Sequence, residues 1–239
     1  REAADLLKDG YSIFIKDLQD LGYTPEGVVN WVALMCWSYD DHTEFFTLND
    51  LVEKFNLEHL NPSPAAINFT KLDHFNGLHI RNFSDDEFAR RIAPYFSQAG
   101  IVADAQILLK IAPILKERVA TLDDAICMAG FFFKDDVHPI TEELIGKGMS
   151  IDQTIDVLQK SHALMSKFGQ VAVTDVEPVM REYVEQSGYS AGQVFGILRV
   201  AVTGQKISPP LFESVEIIGR DKVLERIENA IRLLEKIDR

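Results

Sequence analysis

The side chains with chemical potential in this sequence are adjacent carboxylates, scattered histidines, two cysteines and one glycine-flanked lysine. Asp85-Asp86 and Asp123-Asp124 follow Ser84 and Thr121, which have the composition of helix caps, so their charge complements a helix dipole. Asp135-Asp136 reads as a solvated loop. His74 and His79 are the closest histidine pair, but an offset of five residues does not place both on one helix face. No cysteine or carboxylate pattern around them completes a metal site, so a surface or packing role is expected for both. Cys36 and Cys127 stand alone in apolar stretches and are expected as small buried hydrophobes of a reducing cytosol. Gly146-Lys147-Gly148 lacks the spacing and strand context of a phosphate loop. Nucleophile-elbow, kinase and dinucleotide signatures are absent from the sequence.

The elements that must position any site are helices. Phe88, Ile92 and Tyr95 recur at helical spacing, as do Val223, Leu224, Ile227, Ile231 and Leu234. Ser84-x-x-Glu87, Thr174-x-x-Glu177 and Ser190-x-x-Gln193 fit capping boxes, and Pro25 follows Thr24 as a proline at the first helical position would. Sustained period-2 alternation is missing, so the expected fold class is all-α. Breaks are expected near Ile80–Phe83 and near Lys134–Pro139. No stretch reaches the roughly 18 apolar residues of a membrane-spanning helix. Arg1-Glu2-Ala3-Ala4 does not read as a signal peptide, and it looks like a boundary inside a longer protein. A net charge of −13 argues against a broad nucleic-acid surface but leaves room for local clusters of Lys and Arg.

One stretch adds a family. Gly22-Tyr23-Thr24-Pro25-Glu26-Gly27-Val28-Val29-Asn30-Trp31 through Trp37-Ser38 resembles the segment that follows the catalytic domain in bacterial-type glutamyl-tRNA synthetases. Three further matches arrive in family order: Glu44-Phe45-Phe46-Thr47-Leu48, then Phe69-Thr70-Lys71-Leu72 through Asn76-Gly77 to Ile80-Arg81, then Gly192-Gln193-Val194 through Arg199 to Ser208-Pro209-Pro210-Leu211. The resemblance covers nearly the whole chain. It implies a helical stem-contact domain over residues 1–82 and a two-part α-helical anticodon-binding cage, its subdomains over 83–136 and 137–239.

The resemblance also implies roles. Arg118 looks like the family arginine that contacts the third anticodon base, which members accepting both tRNA(Glu) and tRNA(Gln) tend to lack. From spacing alone, Arg118 equally reads as a last-turn cation on a helix dipole. Arg199 and the turn of Ser208, Pro209 and Leu211 look like the elements that hold the first two anticodon bases, while without the family they read as a helix connector. Lys71 and Arg81 match stem-contact positions that would meet backbone phosphates. The family's Trp and Tyr between them are His74 and His79 here.

The implied parent enzyme is cytoplasmic and joins glutamate to its tRNA with ATP and Mg²⁺ on a class I domain. Its His-Ile-Gly-His and Lys-Met-Ser-Lys motifs do not survive in this sequence. The second would fall at Ala4-Asp5-Leu6-Leu7-Lys8-Asp9, and Leu164-Met165-Ser166-Lys167 lies far too late in the chain. No catalytic residue and no cofactor are therefore assigned to this chain itself. Its expected partners are tRNA(Glu), with tRNA(Gln) left open, and the catalytic domain of the same parent. A standalone relative that binds tRNA without charging it, and a helical protein–protein scaffold, remain as alternatives.

Overall fold

Side-chain caps mark where several of the helices begin. The computed structural model describes residues 14–62 and 67–237. By their contacts these residues group into two compact units, one reaching to Gly100 and including Leu115–Cys127, the other made of Ile101–Ile114 and everything from Met128 onward. Among the described residues the regular structure is helical, with one isolated bridge between Trp37 and Leu60. The all-α expectation holds.

The first unit is built on α1 (Ile15–Asp20), α2 (Pro25–Cys36), α3 (Leu48–Lys54), α4 (Phe69–Asn82) and α5 (Asp85–Gln98). Thr24 caps α2 by accepting from the Gly27 amide, with Pro25 at the first helical position, as the sequence predicts. Ser84 likewise accepts from the Glu87 amide at the start of α5. Leu18, Tyr23, Trp31, Phe69, Leu72 and Phe75 form the core between α2 and α4, and Trp37, Phe46 and Leu51 form a smaller cluster beside it.

Two buried asparagines tie this unit together. Asn30 donates to the Glu44 carbonyl at 3.0 Å, and its Oδ1 accepts from the Phe46 amide at 2.9 Å. The same oxygen lies 3.1 Å from Nε2 of His79, which must carry its proton there for Oδ1 to accept it. His79 is only 3% exposed and its ring lies 4.6 Å from that of Phe45, so its role is packing; His74 is on the surface. Asn76 Oδ1 accepts from both the amide and the hydroxyl of Thr24, and its Nδ2 donates to the Ala120 carbonyl at 2.6 Å. The amide of Leu122 donates to the carbonyl of Gly22. Gly22 has φ +85°, and a Cβ there would stand 2.4 Å from the Asp123 amide nitrogen, so only glycine fits.

The second unit contains α6 (Ala105–Leu115), a 3₁₀ turn (Gly130–Phe133), α8 (Thr141–Leu144), α9 (Ile151–Met165), α10 (Val173–Ser187), α11 (Ala191–Thr203), α12 (Leu211–Ile218) and α13 (Arg220–Glu235); the short α7 (Asp124–Ala129) straddles the two contact groups. Ser150–Gln153 and Ser190–Gln193 form reciprocal capping boxes. The periodic residues Val223, Leu224, Ile227 and Leu234 of α13 are all buried with Leu158, Met180 and Leu198. Arg226, on the same helix, is 1% exposed and donates to the carbonyls of Val202, Phe131 and Lys134.

Two expectations are corrected. Cys36 and Cys127 are exposed rather than buried, because the apolar stretches that hold them are helices with one wet face. Thr174 does not cap a helix. Helix α10 begins two residues earlier than a Thr174 cap would set it, with Ala172 in the cap position and the carboxylate of Glu216 accepting from the Val173 amide. A distant carboxylate thus satisfies an amide that the local sequence leaves bare. The residues Ala4–Asp9 lie outside the described part.

Candidate nucleic-acid interface

The candidate interface residues fall into three local settings. Along α4, Thr70, Asp73, His74, Gly77 and Arg81 share one face at spacings of three and four. Opposite that face runs the segment Glu117–Ala120, and the two enclose an open concavity of about 370 Å³. Arg81 and Arg118 both line it. Among the described residues neither guanidinium has an ion-pair or hydrogen-bond partner. The Arg81 guanidinium lies over Gly77, where an added Cβ would meet Nη1 at 3.2 Å. The Asp73 carboxylate is engaged by the Tyr23 hydroxyl at 2.5 Å.

Arg118 lies beyond the end of α6 at Leu115, in a turn where its amide donates to the Leu115 carbonyl. It is therefore not in the last turn, where the helix-dipole reading would need it. Its segment is pinned from behind by Asn76 through Ala120 and by Gly22 through Leu122. Asp124 adds a third tie by accepting from the amides of Ala120 and Thr121, while the Thr121 hydroxyl accepts from the Asp124 amide. Sequence reasoning assigned Asn76 no structural task. The available signal was an asparagine inside a helix, a position it occupies poorly unless its side chain is employed elsewhere.

Lys71 stands apart. It is exposed and paired with Glu44 at 3.1 Å, outside the concavity that Arg81 lines. The resemblance grouped Lys71 with Arg81 as stem contacts, and the structure does not bring them to one place.

Arg199 lies on α11 and turns to the chain that precedes α12. Its Nη1 donates to the hydroxyl of Ser208 at 2.5 Å and to the carbonyl of Pro209 at 2.9 Å. Ser208, Pro209 and Leu211 are all buried. The arginine thus fixes the turn, and the exposed groups beside it are Lys206 and Ile207, which the sequence reading did not single out. Lys206 is held 3.4 Å from Glu143.

Elsewhere in the first unit, several cations are matched by acids, while Arg90 on α5 is exposed and has no ion-pair or hydrogen-bond partner among the described residues. Arg91 bonds both carboxylate oxygens of Glu26, at 3.0 and 2.7 Å, and also reaches Glu87. Lys116 pairs with Asp85 at 2.7 Å, and Lys54 with Asp50 at 3.3 Å. A chain of net charge −13 thereby neutralises part of its positive charge internally, and what sets Arg81 and Arg118 apart from the other free cations is that they line one concavity. The described residues hold no group of three His, Cys, Asp or Glu side chains that could bind a metal ion.

A helical protein with unpaired arginines in an open concavity is a form suited to RNA, and comparison with known proteins supplies the class. Residues 87–231 match the anticodon binding domain family, and the chain belongs to that family. Within it, the chain is similar to glutamate–tRNA ligases. It is 33% identical over 219 residues to that of Borreliella afzelii, covering 89% of this chain and 44% of that protein. With the enzyme of Herpetosiphon aurantiacus it shares 36% over 221 residues, 90% of this chain and 45% of that protein. The chain therefore spans less than half the length of these relatives. The fold is also that of a crystal structure of a glutamate tRNA ligase from Elizabethkingia meningosepticum, with a TM-score of 0.79, 23% identity, and coverage of 91% of this chain and 43% of that one.

Proposed function

We propose that this chain binds tRNA and recognises the anticodon as part of a glutamate–tRNA ligase, holding tRNA(Glu) for ATP-dependent attachment of glutamate by a catalytic domain of the same parent. The family match over residues 87–231, together with curated relatives along about nine-tenths of the chain, carries this reading. In functional terms residues 1–82 contact the stem, and residues 83–136 and 137–239 form the two halves of the anticodon-binding cage. Arg118 reads the third anticodon base. Arg199 and the Ser208, Pro209 and Leu211 turn hold the surface on which the first two bases rest, with Arg199 acting through the turn. Lys71 and Arg81 meet backbone phosphates.

The chain's contribution is positional. Contacts to phosphates fix the register of the RNA, contacts to bases select it, and together they turn binding energy into placement of a distant 3′ end. ATP and Mg²⁺ belong to the parent's chemistry. The site of action is the cytoplasm.

Binding of the 239-residue chain to tRNA(Glu) across a salt titration tests the proposal. Affinity should fall as salt rises, with a log–log slope of about 0.7–0.9 per phosphate neutralised and only a handful of phosphates in total. A chain that binds no tRNA at low salt, or binds it independently of salt, is the protein–protein scaffold that its acidic balance favours.

A further inference from the structure

The resemblance separates Arg81, a stem contact, from Arg118, a base contact. The fold puts them on facing walls of one concavity. We infer that this concavity takes a single nucleotide of the bound RNA, with Arg81 holding its phosphate and Arg118, together with Glu117, facing the edge of its base. The inference rests on the proposed RNA-binding function and adds Arg81 to the Arg118 site.

Three observations carry it. At about 370 Å³ the concavity lies near the lower end of small-ligand sites, which suits one nucleotide. Its two cations differ in company. Arg118 shares its wall with Glu117, so the residues lining that wall include both donors and an acceptor, as a base edge requires and a phosphate does not. Arg81 lies over Gly77, and the nearest carboxylate of its own helix face, Asp73, is engaged by Tyr23. That wall presents a free guanidinium fork, the group that matches phosphate oxygens. Finally, the walls are fixed to each other. Asn76, next to Gly77 on α4, bonds Ala120, two residues from Arg118, so the separation of the two arginines is set before RNA arrives. Arg81 thereby sets the register in which Arg118 meets a base.

The test uses the full 239-residue chain, its variants Arg81→Gln, Arg118→Gln and the double substitution, and transcripts of tRNA(Glu) and tRNA(Gln) at several salt concentrations. Arg81→Gln should weaken both RNAs equally, by roughly tenfold, and lower the salt slope by about 0.7–0.9, the loss of one phosphate. Arg118→Gln should change the ratio of the two affinities, and in the Arg81→Gln background that change should shrink by at least half. A ratio effect of the same size with or without Arg81 assigns the arginines to separate nucleotides and overturns the inference. So does an Arg81→Gln variant with unchanged slope, or an Arg118→Gln variant with unchanged ratio. Failure of the unsubstituted chain to bind either RNA instead overturns the proposed function itself. If the glutamine variant at position 81 fails to fold, Arg81→Met, which keeps an unbranched stem without the charge, should lower the slope by the same amount, and an unchanged slope counts against the inference.

Discussion

At the scale of single residues, the first unit is held by ionisable groups whose states are set by their neighbours. The Arg91 guanidinium holds the Glu26 carboxyl below its ordinary value of 4.5, against the opposing effect of burial. Burial lowers His79 from 6.5, with the Glu26 charge pulling the other way. Both shifts act in one direction. His79 is neutral in the fold, so stability is complete above about 6.5 and is lost as pH falls from there toward the lower folded value. Glu26 contributes stability above 4.5 that is lost as pH falls through its folded value. Acid should therefore destabilise the chain in two stages. Urea titrations from pH 7.5 to pH 2.5 check this, with His79→Gln expected to remove the upper stage and Glu26→Gln to shrink the lower, to which Asp40 and Asp50 also contribute. A stability flat between pH 7 and pH 5.5 in the unsubstituted chain would show that His79 is not held neutral.

At the scale of elements, the second unit depends on a cation used as a peg. Arg226 on α13 gathers the carbonyls of Val202 at the end of α11 and of Phe131 and Lys134 around the 3₁₀ turn. Burial pushes its guanidinium below its ordinary value, with Asp136 and Asp135 opposing. Replacing it with leucine keeps much of the volume and leaves three carbonyls without their donor. Each buried acceptor so stranded costs about 1–3 kcal/mol, partly relieved by water, so Arg226→Leu should lose roughly 3 kcal/mol. Chemical denaturation measures the loss directly. A change below about 1 kcal/mol would mean that water replaces the guanidinium at little cost.

At the scale of the whole molecule, the proposed function gives this chain recognition and leaves the chemistry to another domain of the parent. It spans 44–45% of their length, and its sequence holds neither phosphate-handling motif of the family it resembles. Charge on a transferring phosphoryl group needs positioned cations. The two arginines that line the concavity are assigned, in the proposal above, to binding RNA. ATP–pyrophosphate exchange with glutamate, run with and without tRNA(Glu), should stay at the buffer level for this chain. Exchange well above that level would place a catalytic function within these 239 residues.

The sequence alone determined whatever depends on near neighbours. Periodicity in Val223–Leu234, the caps at Thr24, Ser84 and Ser190, and the ordered segments from Gly22 to Leu211 are properties of short stretches, and helices form where such stretches agree. The α10 start was misread because its cap, Glu216, stands 43 residues away. The candidate site was legible only as a set of residue types. Whether an arginine stays free depends on which carboxylates the fold delivers, and that is settled between distant segments: Arg91 meets Glu26 across 65 residues, while Arg199 closes on Ser208 and Pro209. Gly22 and Asn76 likewise acquire their purpose only when residues 120–123 pack against them. Tertiary structure alone put Arg81 and Arg118 on one concavity, because a helix face and a pinned loop 37 residues apart have no common period in the chain.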